Sequence, residues 1–261
     1  MSASILEGLA LSCRPLGEYD RLLTLLSEEE GLTRVAVPGA RRPRSSLAAA
    51  VPLAQLRLQL GGGKGLRRVR QLQVLRNYTA LAQRLETLAA AQGLAELCLR
   101  LVPEAAPAPG ILSDLLLHLG RLDGVVREHG ERREALAIGV QGSVHLLALG
   151  GYALPLQRCC RSEQPLEPPL GDRSWQASLL PGEGMAIGAV AGARLLLGSS
   201  ELALLQRLPR PALPLRPNGE LMAPETVWLR LLSVIEAWCG EHLGHSPRAF
   251  RLLRSPGADQ D

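Results

Sequence analysis

The run Leu53-Ala-Gln-Leu-Arg-Leu-Gln-Leu60 places Leu56, Leu58 and Leu60 on one face and Gln55, Arg57 and Gln59 on the other. A period of two is the pattern of a half-buried strand, whereas a helix would scatter these leucines around its axis. Gly61-Gly-Gly-Lys-Gly65 then supplies a turn, and Leu66 to Leu75 resumes as a strand. Upstream, Leu32-Thr-Arg-Val-Ala-Val37 is a further candidate, stopped by Pro38-Gly39. Ile5 to Cys13 and Tyr19 to Leu26 complete the set, with weaker contrast because they are leucine-rich. Five short strands within residues 1–76, joined by basic loops, predict a small closed β-barrel of the OB type.

Beyond Asn77 the pattern changes. Hydrophobic residues make up 46% of the 261-residue chain but aromatics only 3%, with a single Phe. The core must be built of Leu, Ala and Val, which favours helices outside the barrel. Asn77 can cap a helix running through Leu81, Leu85 and Leu88, and Gly93 to Val102 reads as another. Pro103 to Gly110 is a break, after which Ser113 can cap a helix carrying Leu115, Leu116, Leu119 and Leu122. Glu131 to Leu149 is helical and ends at Gly150-Gly151. Residues 77–150 are thus a helical domain, and residues 151–198 an irregular insertion rich in Pro and Gly. Ser200 to Leu208 is a short helix, Pro209 to Pro217 a linker, and Pro224 to Leu243 a strong helix with Pro224 suited to its first turn. Residues 199–254 complete the helical domain, and 255–261 form a disordered tail. The expected fold class is α+β.

The net charge of +4 is unevenly placed. Residues 1–76 hold twelve Arg or Lys against six Asp or Glu; the remainder is slightly acidic. A basic first third suggests a polyanion partner; without context, the same arginines read as a solvated surface. The sequence offers no uninterrupted apolar run of membrane-spanning length, so no membrane association is expected. Met1 to Pro15 has no basic n-region and does not read as a signal peptide. Five scattered cysteines, Cys13, Cys98, Cys159, Cys160 and Cys239, do not form a disulfide framework. A reducing cytoplasm is the expected compartment.

Gly39-Ala-Arg-Arg-Pro-Arg-Ser-Ser46 carries the most information about function. Arg41, Arg42 and Arg44 follow a strand, where free amides and serines can also track a phosphate backbone. Arg34, Lys64, Arg67, Arg68 and Arg70 lie on the adjoining strands and turn and could extend them into one basic groove. The glycine-rich turn is not a nucleotide loop, because Leu58 and Gly65 stand where such a loop needs Gly and Ser or Thr. Only Tyr19 and Tyr78 could stack on bases, so binding should be electrostatic and salt-sensitive. His118, His129, His145, His242 and His245 are dispersed and read as surface or packing groups. Glu28-Glu-Glu30 reads as a solvated turn, and no catalytic constellation emerges. Neither an enzyme nor a cofactor or metal is expected.

The series Glu18-Tyr-Asp-Arg-Leu-Leu-Thr-Leu25, Gly31-Leu-Thr-Arg34, the Gly39 to Leu47 loop, and Leu146-Leu-Ala-Leu-Gly-Gly-Tyr152 leading to Cys159 resembles the RecO family of bacterial DNA repair proteins. The resemblance spans residues 5–254 and implies an OB barrel, a helical domain and a small cysteine module. It also implies binding of single- and double-stranded DNA, strand annealing, and RecA loading with RecR and the single-stranded DNA-binding protein. The implied location is the cytoplasm, at the nucleoid. Arg41, Arg42 and Arg44 fall on the family's basic loop. The cysteine module departs from the pattern: Cys159 matches a zinc ligand, but Ser162 stands where its partner would be, and residues 182–190 contain no cysteine. The insertion is therefore expected to resemble a zinc finger without its metal ligands, packed by Trp175, Leu179 and Met185. The alternative reading is an OB-fold protein that binds RNA or acts in translation, distinguishable by recognition of the 2′-hydroxyl.

Overall fold

The computed structural model describes residues 4–62 and 65–255. Five strands, β1 (Ser4–Leu16), β2 (Asp20–Ser27), β3 (Gly31–Val37), β4 (Ala54–Gly61) and β5 (Arg67–Asn77), close into a barrel in the order β1-β2-β3-β5-β4. This is the expected N-terminal OB-type barrel, followed by a mostly helical region. β3 and β5 pair in parallel, Val35 with Arg67 and Ala36 with Arg68, and the other neighbours are antiparallel. The alternation in β4 sends Leu56, Leu58 and Leu60 into the barrel beside Leu23, Leu25, Val35, Val37 and Val69. Arg57, between them, is exposed.

β1 and β2 lack contrast because both of their faces are covered. Leu6, Leu23 and Leu25 point inward, while Leu9, Leu11 and Leu26, with Leu32 of β3, join the core of the helical region. Burial of one leucine contributes about 1.5–3 kcal/mol, so this outer face welds the two regions together. The backbone continues the junction: the Leu32 N–H donates to the Pro103 carbonyl at 3.2 Å, and the Ala105 N–H to the Leu32 carbonyl at 3.0 Å. Gly31 has φ +59°, and a Cβ there would lie 2.1 Å from the Ala106 carbonyl oxygen, so the close approach needs glycine.

The helical region consists of α1 (Leu85–Leu101), α2 (Ile111–Arg127), α3 (Arg132–Leu149), α4 (Ser199–Arg207), α5 (Glu225–Leu243) and α6 (Phe250–Arg254). α1 is one continuous helix through Gly93, not two. Asn77 stands one residue before Tyr78, the cap of a 3-10 turn at Thr79–Gln83, and its Oδ1 accepts from the Thr79 N–H at 3.0 Å. α2 begins at Ile111, so Ser113 is inside it. Its cap comes from the barrel: the Glu28 carboxylate accepts from the N–H groups of Gly110 (2.9 Å) and Ser113 (3.1 Å). Glu30 accepts from both terminal nitrogens of Arg67 and from the Thr33 hydroxyl. Of the three glutamates expected to be solvated, only Glu29 is exposed. Pro224 caps α5 rather than entering its first turn.

The insertion is more ordered than its composition suggests. β6 (Gln176–Leu180), β7 (Gly184–Ile187) and β8 (Leu195–Gly198) form an antiparallel sheet in the order β7-β6-β8. Leu179, Met185 and Leu197 join the same core as the helices, with Trp175 partly buried against it. Residues 209–217 are not a slack linker either. The buried Gln141 amide donates to the carbonyls of Arg210 and Ala212 at 2.9 and 3.0 Å, with the Leu208 carbonyl at 3.3 Å, fastening the start of this segment to α3. Among the described residues no helix is long and apolar enough to cross a membrane. The expectation of a disordered tail falls, after Ser255, outside the described residues.

Candidate nucleic-acid interface

Strand register decides which loops share an end of the barrel. Arg21 at the start of β2 pairs with Val37 at the end of β3, and β5 begins beside Val35 and Ala36. Gly61 at the end of β4 pairs with Arg68. The β1–β2 turn and the start of the loop between β3 and β4 therefore leave the barrel together, whereas β4 runs antiparallel to β1 and ends beside its start, Leu60 pairing with Ser4, so β5 sets out from the opposite end. Arg41, Arg42 and Arg44 share the end with the β1–β2 turn, and Arg67 and Arg68 lie on β5 beside Val35 and Ala36, the residues that lead into their loop. Lys64 lies outside the described residues.

The arginines differ in what they already hold. Arg41 donates to the carbonyls of Gly17 (3.2 Å) and Glu18 (3.0 Å), tying its loop to the β1–β2 turn while keeping its charge. The Arg42 guanidinium lies 4.8 Å from the centre of the exposed Tyr19 ring. Arg44 is exposed, with φ +59°. Arg68 and Arg70 are exposed on β5, the latter against Gly61, where a Cβ would meet its guanidinium. Two expected contributors are neutralised. Arg34 pairs with Glu104 at 2.5 Å, and Arg67 pairs with Glu30. The Arg67 hydrogen bonds hold the Glu30 carboxyl below the usual carboxylate range, against the opposing pull of desolvation.

Two residues missed in the sequence complete the basic end. Arg14 and Arg21 flank a notch of about 300 Å³ that Arg41 also lines. Arg21 donates to the carbonyls of Ala48 (3.0 Å) and Ala50 (3.1 Å), holding the far limb of the long loop. Neither stood in a basic run, so only the β1–β2 pairing reveals them. Among the described residues, Arg14, Arg21, Arg41, Arg42, Arg44, Arg68 and Arg70 have no carboxylate partner. A phosphate backbone could pair with them without displacing an acid.

Elsewhere, the structure corrects the reading of the histidines as separate groups. His118 and His145 face each other from α2 and α3, Nε2 to Nδ1 at 3.1 Å, with Asp114 beside both. The spacing of Asp114 and His118 on one helix was a readable signal; their meeting with His145 was not. His242 does pack, its ring centre 4.1 Å from that of Trp238. In the insertion, Cys159 accepts weak bonds from the N–H groups of Ser162 and Ile187 at 3.4 Å. Burial pushes its thiol up, but these donors prevail and bring it down to about 7. One such thiol beside Cys160, with Ser162 and Ile187 where further ligands would be needed, is not a donor set for a structural zinc.

Residues 1–78 match the family "Recombination protein O N terminal", and residues 82–250 match "Recombination protein O C terminal". The chain is 60% identical to the DNA repair protein RecO of Synechococcus sp. (strain WH7803), over 95% of this chain and 93% of that one. It is 61% identical to the protein of that name from Prochlorococcus marinus (strain MIT 9303), over 95% and 94%. With the Synechococcus elongatus (strain ATCC 33912 / PCC 7942 / FACHB-805) protein it shares 34% identity over 95% and 93%. On these matches, and with a closed five-stranded barrel leading into a helical region, the chain belongs to the RecO family of DNA repair proteins.

Proposed function

We propose that the arginine-rich end of the barrel binds the phosphate backbone of single- and double-stranded DNA. In this reading the chain is a recombination mediator of the cytoplasm and nucleoid. It anneals complementary strands and, with RecR and the single-stranded DNA-binding protein, assists RecA loading. The observation that carries it is the set of arginines with no carboxylate partner on the β1–β2 turn end of an OB-type barrel, continued by Arg68 and Arg70 on β5 beside the last residues of β3. Family membership supports the repair context, and nothing in the reading requires turnover of a substrate. With Tyr19 the only exposed aromatic ring at this end among the described residues, affinity comes from charge and sequence preference is weak. The insertion is read as a metal-free counterpart of a zinc-bearing module.

The test is binding of a fluorescent single strand at two salt concentrations by wild type and by Arg42→Ala/Arg44→Ala/Arg68→Ala. Arg41 is left intact because it fastens the β1–β2 turn. Wild type should bind at low salt and lose affinity steeply as salt rises. The variant's log–log salt slope should be shallower by about 0.7 for each phosphate that is no longer neutralised. An unchanged slope would remove the DNA role from this surface, and stronger binding to RNA of the same sequence would move the assignment to RNA.

A further inference from the structure

We propose that Asp114, His118 and His145 form a binding site for a zinc-class divalent cation, tying α2 to α3. Four donor atoms of these three residues lie at ligand-like spacing. His118 Nε2 lies 3.1 Å from His145 Nδ1, His145 Nδ1 lies 3.3 Å from Asp114 Oδ1, and Asp114 Oδ2 lies 3.6 Å from His118 Nε2. Ligands about 2.0–2.1 Å from a tetrahedral zinc are separated from one another by about 3.3 Å. One donor atom from each residue lies within 4.8 Å of the others, so a single ion between them would reach all three with small side-chain adjustments.

The hydrogen bonding leaves acceptors turned toward the centre of the cluster. His145 Nε2 lies 2.8 Å from the Leu208 carbonyl, which can only accept, so Nε2 carries the proton. In the neutral ring Nδ1 then presents a lone pair, and it points at a carboxylate and a second imidazole. Asp114 Oδ2 is buried with no hydrogen-bond partner. Without an ion, the His118 Nε2–H can donate to the His145 Nδ1 lone pair; an ion would take that proton's place between the two rings and the carboxylate. The Leu208 carbonyl is also the outer partner that a metal-bound histidine commonly uses to fix its ring.

An ion can reach the site. Asp114 and His145, but not the fully buried His118, line a groove of about 380 Å³ whose other walls include Leu154, Pro209 and Pro211. A fourth ligand, water in the free protein, would occupy the groove side. Arg121, one turn along α2, is directed away to Gln141 and the Pro211 carbonyl, although its charge still weakens the site. Three ligands and a neighbouring cation place the affinity below that of a four-ligand structural zinc.

The experiment uses the full chain stripped with a chelator and titrated with cobalt(II), then zinc(II). Wild type should develop visible ligand-field absorption without a thiolate charge-transfer band, and its melting temperature should rise with zinc. Asp114→Asn and His145→Gln change partly exposed ligands and spare the buried His118. Each should weaken cobalt binding on the order of a hundredfold or more, since loss of even an outer partner costs about ten- to a hundredfold. Cys159→Ser/Cys160→Ser should bind as wild type does. The proposal is overturned by a wild type with neither absorption nor thermal shift. It is equally overturned by a signal that survives both ligand variants or disappears with the cysteines.

Discussion

Glu30 shows how a residue from an apparently solvated run becomes structural. Its carboxylate holds Arg67 at the start of β5 and Thr33 on β3, linking the two strands that pair in parallel. Because Arg67 lowers its folded pKa, Glu30 contributes stability above the unfolded carboxylate range. That contribution is lost as pH falls through this range toward the folded value. Glu30→Gln should therefore unfold at lower denaturant than wild type at neutral pH, and the gap should close as the medium is acidified. A gap independent of pH would mean that the ion pair is not its source. The neighbouring Glu28 has a different task, capping α2, and nothing in three consecutive glutamates distinguishes the two.

Among the elements, α1 is the clearest case of tertiary packing overriding local preference. Glycine in a helix interior is unfavourable by about 1 kcal/mol relative to alanine, which made Gly93 look like a boundary. The helix runs through it because the Phe250 ring lies there; a Cβ on Gly93 would be 2.0 Å from the nearest ring carbon. Phe250, the one phenylalanine of the chain, is fully buried and joins α6 to α1. Gly93→Ala should accordingly destabilise the protein by about 1–3 kcal/mol despite its better helix propensity. Denaturant unfolding would show it, and a stabilised Gly93→Ala would mean that Phe250 moves aside freely. The insertion teaches the same lesson: its strands are short and broken by glycine, and they are held by burying Leu179, Met185 and Leu197 against the helices.

At the scale of the molecule, the barrel and helices share a core. Leu26 is fully buried on the outer face of the barrel, within the helical cluster. Leu26→Ala should cost about 2–5 kcal/mol, and barrel and helices should still melt in one transition. Two separated transitions would show that the shared core does not couple them. The same junction orients the basic end. With Glu104 from the α1–α2 connection on Arg34 and Glu30 on Arg67, two charges of the β3–β5 seam are paired, while Arg68, Arg70 and the loop arginines keep no carboxylate partner among the described residues.

The sequence by itself determined the barrel strands, the basic loop after β3, the stops at Gly150-Gly151 and the α+β class. These rest on local rules: alternation of period two, turn residues, and the capping or breaking of helices. Family resemblance was likewise readable, because ordered motifs survive without knowledge of their contacts. Only the tertiary structure decided that Arg14 and Arg21 join the basic end while Arg34 and Arg67 are paired. It alone showed that Gly93 lies within a helix, and that Asp114 and His118 meet His145. Each of these depends on which distant residue arrives opposite, and that is set by strand register and helix packing rather than by neighbours along the chain.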